Sequence, residues 1–162
     1  MAAAHPLAYF ITFRTYGTWL HGDERGSMQR GLTGPGAPML DRNPQREAWE
    51  ESRRLGQPVT LGRAERQVVD GAIRETAATR EWPVHALNGR TNHVHVVVSV
   101  EIPPERVMGS LKAWYTKRLR EAGLIATGAK VWSRHGSTTY LWRDEQVTAA
   151  CEYVVEGQGA DL

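Results

Sequence analysis

Thr91-Asn92-His93-Val94-His95-Val96-Val97-Val98-Ser99-Val100 reads as a β-strand with a polar pair set into its middle. Side chains alternate along a strand, so Val94, Val96 and Val98 share one face while His93, His95 and Val97 share the other. Two imidazoles on one face stand about 7 Å apart along the strand by its rise per residue, within reach of one metal ion or one phosphate. An isolated His-x-His is more often an ordinary pair on a sheet surface. The weight therefore falls on what surrounds it.

Immediately upstream, Val84 to Asn88 reads as another strand and Gly89-Arg90-Thr91 as a tight connection, which makes a hairpin. Downstream, Pro103-Pro104 stops the strand and opens a helix from Glu105 to Glu121, with Val107, Met108, Leu111, Trp114, Tyr115 and Leu119 as its apolar stripe. Lys130 to Trp142 is either a pair of short strands or one strand bent around Gly136. A last helix starts with Asp144 as cap and ends near Glu156, before Gly157 and Gly159.

Working toward the N-terminus, Val68, Val69, Ala72, Ile73, Thr76 and Ala77 recur at helical spacing between Gly62 and Arg80, and Trp82-Pro83 ends that helix. Leu7 to Thr15, rich in aromatic and β-branched types, is the first strand. The order is strand, helix, strand, strand, helix, strand, terminal helix. That is an α+β, ferredoxin-like split βαβ plan, an antiparallel sheet with helices on one face plus a C-terminal helix.

His21 to Thr60 differs in texture, with Gly34-Pro35-Gly36-Ala37-Pro38 as a breaker and a short helix expected from Asn43 to about Leu55. It reads as a Gly/Pro-rich insertion, at about 21–60, in a single domain spanning 1–162. A chain of 162 residues with 41% hydrophobic content has the size for one core. No apolar run reaches membrane-spanning length and the start lacks a signal-peptide pattern, so the expectation is a cytoplasmic protein with no membrane partner.

The lone Cys151 rules out an internal disulfide and a thiolate-rich zinc site, so a metal here takes nitrogen and oxygen ligands. Net charge is only +2, yet Arg106, Lys112, Lys117, Arg118 and Arg120 concentrate on one helix against Glu105. Such a helix is either a solvated surface or a phosphate-contacting face. Lys112, Lys117, Arg118 and Arg120, with Trp114 and Tyr115, are the DNA-contact candidates, and Trp132 could also stack on a base. His21, His85 and His135 stand isolated, with His85 open either to a supporting role beside the His93 strand or to an ordinary place on the sheet.

Asn92-His93-Val94-His95 resembles the HUH motif of histidine, bulky hydrophobic residue, histidine. Val131-Trp132-Ser133-x-x-Gly136 and Tyr153-Val154-Val155-Glu156-Gly157-Gln158 are similar to the segment preceding, and the helix carrying, the nucleophile of single-tyrosine HUH transposases. These are the small transposases of insertion sequences and their domesticated REP-associated relatives. The resemblance runs from Tyr9 to Gln158, outside the insertion.

The resemblance implies a DNA transposition enzyme that cleaves and rejoins single-stranded DNA through a 5′-phosphotyrosine, with Tyr153 as nucleophile, Mg or Mn as cofactor and His93 and His95 as ligands. It also implies recognition of a DNA hairpin and a homodimer. Tyr115, among cations, rivals Tyr153. The family's third ligand follows the tyrosine by four residues, where this chain has Gly157, so Gln158 on resemblance and Glu156 on helical geometry are alternatives. Two other readings stay open: an inactive or domesticated hairpin-binding protein of the same fold, and an unrelated metal-dependent hydrolase or nuclease using water.

Overall fold

The computed structural model describes residues 5–17 and 58–157, together with 27–28, 39–40 and the single positions 44, 45 and 48. Strands are β1 (Ala8–Thr15), β2 (Ser27–Met28), β3 (Met39–Leu40), β4 (Val84–Gly89), β5 (His93–Val98) and β6 (Trp132–Leu141); helices are α1 (Arg63–Arg80), α2 (Pro104–Glu121) and α3 (Asp144–Glu156). The main sheet has the order β4-β5-β1-β6 with every neighbour antiparallel, which is the expected split βαβ arrangement. Lys130 to Trp142 resolves into one long strand.

Strand alternation divides the core in two. Tyr9, Ile11 and Phe13 of β1 and Val94, Val96 and Val98 of β5 are buried with Val69 and Ile73 of α1 and with Leu111, Tyr115 and Leu119 of α2. On the reverse face Ala8, Ala86, Val97 and Leu141 are buried with Ala150 and Val154 of α3, and Phe10, Val147 and Cys151 pack at the edge. The C-terminal helix therefore lies across the sheet from the other two, on the side of the histidines.

Local chemistry explains the helix ends. Pro104 occupies the first turn of α2, where its missing N–H costs nothing, and Arg118 and Arg120 sit in the last turn, complementing the dipole. Helix α3 begins one residue earlier than Asp144 as cap requires. Arg143 is the cap, and Gln146 Oε1 accepts from the N–H groups of Trp142 (2.8 Å) and Arg143 (3.1 Å), so an amide three residues inside the helix does the capping. Only Trp142 and Arg143 connect β6 to α3.

The register of β6 slips between the partners of Phe13 and Thr15, with Gly136 opposite Phe13. A Cβ at Gly136 would run into Thr12 O and lie 2.7 Å from Met108 Sδ, so only glycine lets the strand close on β1 there.

The insertion leaves and re-enters the fold at one place, because Val59 N–H donates to Tyr16 O (2.9 Å). Within it Ser27–Met28 pairs with Met39–Leu40. Of the expected 43–55 helix, Pro44, Gln45 and Ala48 are helical and exposed, and the remainder lies outside the described residues. No described helix is long and apolar enough to cross a membrane.

Candidate active site

The reverse face of the sheet brings His93, His95 and Tyr153 together. Because His93 and His95 are two apart on one strand, their rings meet at 4.5 Å between centroids. Tyr153 reaches them from α3. Val154 is fully buried against the sheet, and the preceding residue, 100° back around the helix, leans over the edge of that contact. Its ring centroid is 5.7 Å from that of His95 and 5.9 Å from that of Phe10, while 49% of Tyr153 is exposed. Asn88, opposite His95 on β4, donates Nδ2–H to Val154 O (2.9 Å) and ties the tyrosine helix to the histidine strand.

Each imidazole is held through Nδ1. Thr12 lies opposite His95 on β1, and its Oγ1 is 2.7 Å from His95 Nδ1 in a buried contact. His93 Nδ1 is 2.6 Å from Asn92 Oδ1, a carbonyl oxygen that only accepts, so Nδ1 carries the proton. In that tautomer Nε2 is the lone-pair nitrogen, and the same arrangement follows for His95 when Nδ1–H donates to the threonine hydroxyl. Partners of this kind fix the ring orientation of metal-binding histidines.

The donors fit a divalent ion that takes nitrogen and oxygen. Two imidazoles face one side, and among the described residues no group of three or more His, Cys, Asp or Glu side chains gathers elsewhere or here. Among the described residues, the two imidazoles are the side chains that could hold such an ion here. Gln158 lies outside the described residues. Glu156 is exposed, and at 100° per residue it falls on the side of Tyr153 away from Val154 and the sheet.

Gly157, where a ligand was expected, has a different use. A Cβ there would sit 2.8 Å from Tyr153 Cδ2 and 2.8 Å from Tyr153 O, so the tyrosine ring occupies the space of a side chain at 157.

The DNA-contact candidates of α2 are on the opposite face of the sheet from the histidines. Tyr115 is fully buried, stacked on Phe13 at 5.7 Å, and burial foremost, then the charge of Asp70, pushes its phenol well above the usual tyrosine range. This corrects both roles open to it: it is neither nucleophile nor stacking surface. Trp132 is likewise core, its indole N–H donated to Thr116 Oγ1 (3.1 Å).

Trp114 packs at the core edge beneath Lys117 and Arg118, whose charged groups lie 4.9 and 4.8 Å from its ring centroid. Arg118 pairs with Glu75 and Glu121, and Arg120 donates weakly to Ala129 O (3.4 Å). Lys112 donates Nζ–H to Ser133 O (2.8 Å) and His135 O (3.2 Å), and burial lowers its pKa to about 8. Much of the basic helix is therefore spent on internal contacts. His85 bonds Ser99 Oγ (2.7 Å) and takes the ordinary sheet role.

A family model described as "Transposase IS200 like" matches residues 58–156, from the first main helix through the tyrosine helix. The chain belongs to the IS200-like transposase family. It is an enzyme of DNA transposition that acts on DNA, and the family uses a divalent metal. A comparison with curated proteins gives no match. Among solved structures, a protein from Deinococcus radiodurans R1 provisionally assigned as a transposase is similar over 99% of this chain and 96% of its own, at 14% identity and a TM-score of 0.48. In the IS200-like transposase, the histidine pair and Tyr153 were visible in sequence. Thr12 and Asn88 were missed, since a lone threonine or asparagine on a strand gains meaning only when register sets it beside His95.

Proposed function

We propose that the chain cleaves and rejoins single-stranded DNA by transesterification at the face formed by His93, His95 and Tyr153. Tyr153 Oη attacks the phosphorus of a phosphodiester held over the histidine pair, a Tyr–O–P bond forms and the P–O3′ bond breaks. The phenol proton leaves to solvent, to which the half-exposed ring is open, and O3′ departs as a hydroxyl on gaining a proton. One phosphodiester replaces another, so the step reverses without ATP and the ends rejoin when a 3′-hydroxyl attacks the 5′-phosphotyrosine.

His93 and His95, with Gln158 as third ligand, would hold Mg²⁺ or Mn²⁺, which when bound draws charge from the non-bridging phosphate oxygens. Thr12 and Asn92 keep the two rings turned to that task. Asn88 and the buried Val154 hold the nucleophile's helix on the same face.

The observation that carries this reading is the 5.7 Å approach of the Tyr153 ring to the His95 ring within one chain. The two-residue link between β6 and α3 and this approach within one chain support each tyrosine serving the histidines of its own chain. Lys117, Arg118 and Arg120 on the far face remain contacts for a hairpin stem and not for the cut strand.

Incubating the protein with labelled single strands from the DNA flanking its gene and Mn²⁺ tests the proposal: a covalent adduct forms, and Tyr153→Phe abolishes it. A second reading, a domesticated hairpin-binding protein, is favoured by the absence of a side chain at Gly157 and predicts binding with no adduct. Cleavage that survives Tyr153→Phe would instead mark a hydrolase using water.

A further inference from the structure

On the face that carries the site, one cross-strand row has received no role. Arg14 of β1 is the register partner of His93, and its even position in β1 puts it with Phe10 and Thr12 on the histidine side. On the other flank Arg90 N–H donates to His93 O (2.8 Å), which makes residues 90 and 93 the closing pair of the β4–β5 hairpin, with side chains on one face. The row across the sheet reads Arg90, His93, Arg14. Directly opposed residues have Cβ atoms about 5 Å apart, so an arginine stands on each side of the outer histidine. Both arginines are half-buried.

The neighbouring row is Asn88, His95, Thr12, Ser137, and beyond it lie Val97, Phe10 and Thr139. These strand positions are imidazole, amide, hydroxyl and apolar, so in the three rows the formal positive charge comes from Arg14 and Arg90. A planar fork of N–H donors matches phosphate oxygens in pairs, which a lysine ammonium does not.

We infer that Arg14 and Arg90 form a two-armed clamp on the DNA phosphodiester at the histidine pair, each guanidinium hydrogen-bonding non-bridging oxygens and fixing the phosphorus in front of Tyr153. The inference rests on the reading of His93, His95 and Tyr153 as the cleavage site. It gives both arginines contact with the reacting phosphate.

The test uses the full chain, with Arg14→Gln, Arg90→Gln and the corresponding lysine variants, all first checked by thermal melt. Adduct formation on labelled flanking single strands with Mn²⁺ should fall roughly 100-fold in each glutamine variant, as for loss of one preorganised donor, and lysine should recover only part. In parallel, the salt dependence of binding to an oligothymidylate is measured by anisotropy. The log–log slope should drop by about one for each arginine replaced by glutamine and stay unchanged with lysine. Where a glutamine variant fails to fold, its lysine counterpart decides, and a wild-type adduct rate there overturns the clamp. Wild-type rates and slopes in both glutamine variants also overturn it, and a loss confined to one overturns the two-armed form. A wild-type protein that makes no adduct removes the cleavage reading, while the salt slopes still decide whether the two arginines hold phosphate.

Discussion

Replacing Gly157 by alanine separates the stability of this protein from its chemistry. The residue caps α3 at φ −80° and ψ 1°, dihedral angles open to any L-amino acid, although a Cβ there would also lie 2.8 Å from Tyr153 O and the last turn must ease to admit it. Such a change restricts the unfolded chain and is worth about 0.4–1 kcal/mol in favour of folding. The new Cβ, however, would lie 2.8 Å from Tyr153 Cδ2, where ordinary contact begins at 3.4 Å.

The ring must retreat by about 0.6 Å or turn away from His95. Displacements near 1 Å in a reacting group cost on the order of 100-fold in rate, so adduct formation in Gly157→Ala should fall roughly 10- to 100-fold. Crowding against Tyr153 offsets the entropic gain, and the melting temperature should stay within a few degrees of wild type. The assay is the rate of covalent adduct on labelled single strands with Mn²⁺, beside a melt followed by circular dichroism. An unchanged melt with an unchanged adduct rate would refute the reasoning, since it would mean that neither the ring position nor its fit over Gly157 matters to the reaction.

Thr12→Val keeps the shape of a buried residue and removes the hydroxyl 2.7 Å from His95 Nδ1, so the Mn²⁺ concentration giving half-maximal adduct should rise 10- to 100-fold, on the order of other losses of this kind. Tyr115→Phe deletes a buried hydroxyl that has no hydrogen-bond partner, and chemical denaturation should show it neutral or stabilising by up to about 1 kcal/mol, with cleavage intact. For Lys112, whose folded pKa is lowered to about 8 from 10.5, the unfolded chain binds more protons between those values. Wild-type stability relative to Lys112→Met should therefore increase as pH rises from about 8 to about 10.5 and be flat below, as read from urea midpoints across that range.

Periodicity was enough to find the sheet strands, the three helices and the histidine pair, because alternation of two and a stripe of 3.6 are properties of the chain itself. The same alternation set Val94 and Val96 apart from His93 and His95. It also implied, without stating, that a helix packed against the valines could not serve the histidines. The basic residues of α2 looked like a DNA surface from charge alone. Lys112 and Arg118 turned out to be bound to backbone carbonyls and carboxylates that come from β6, α1 and the helix's own last turn.

The sequence by itself determined the element order, the side-by-side imidazoles and a tyrosine on the last helix. Tertiary structure alone decided that α3 crosses to the histidine face, that Thr12, Asn88, Arg14 and Arg90 surround the pair, and that Tyr115 is core. The physical reason is that the first set depends on spacing within one segment. The second depends on strand register and on which of two faces a helix covers: Asn88 and Arg90 take their places from the register of one hairpin, while Thr12, Arg14 and Tyr153, more than fifty positions from the histidines, meet them only when the sheet closes.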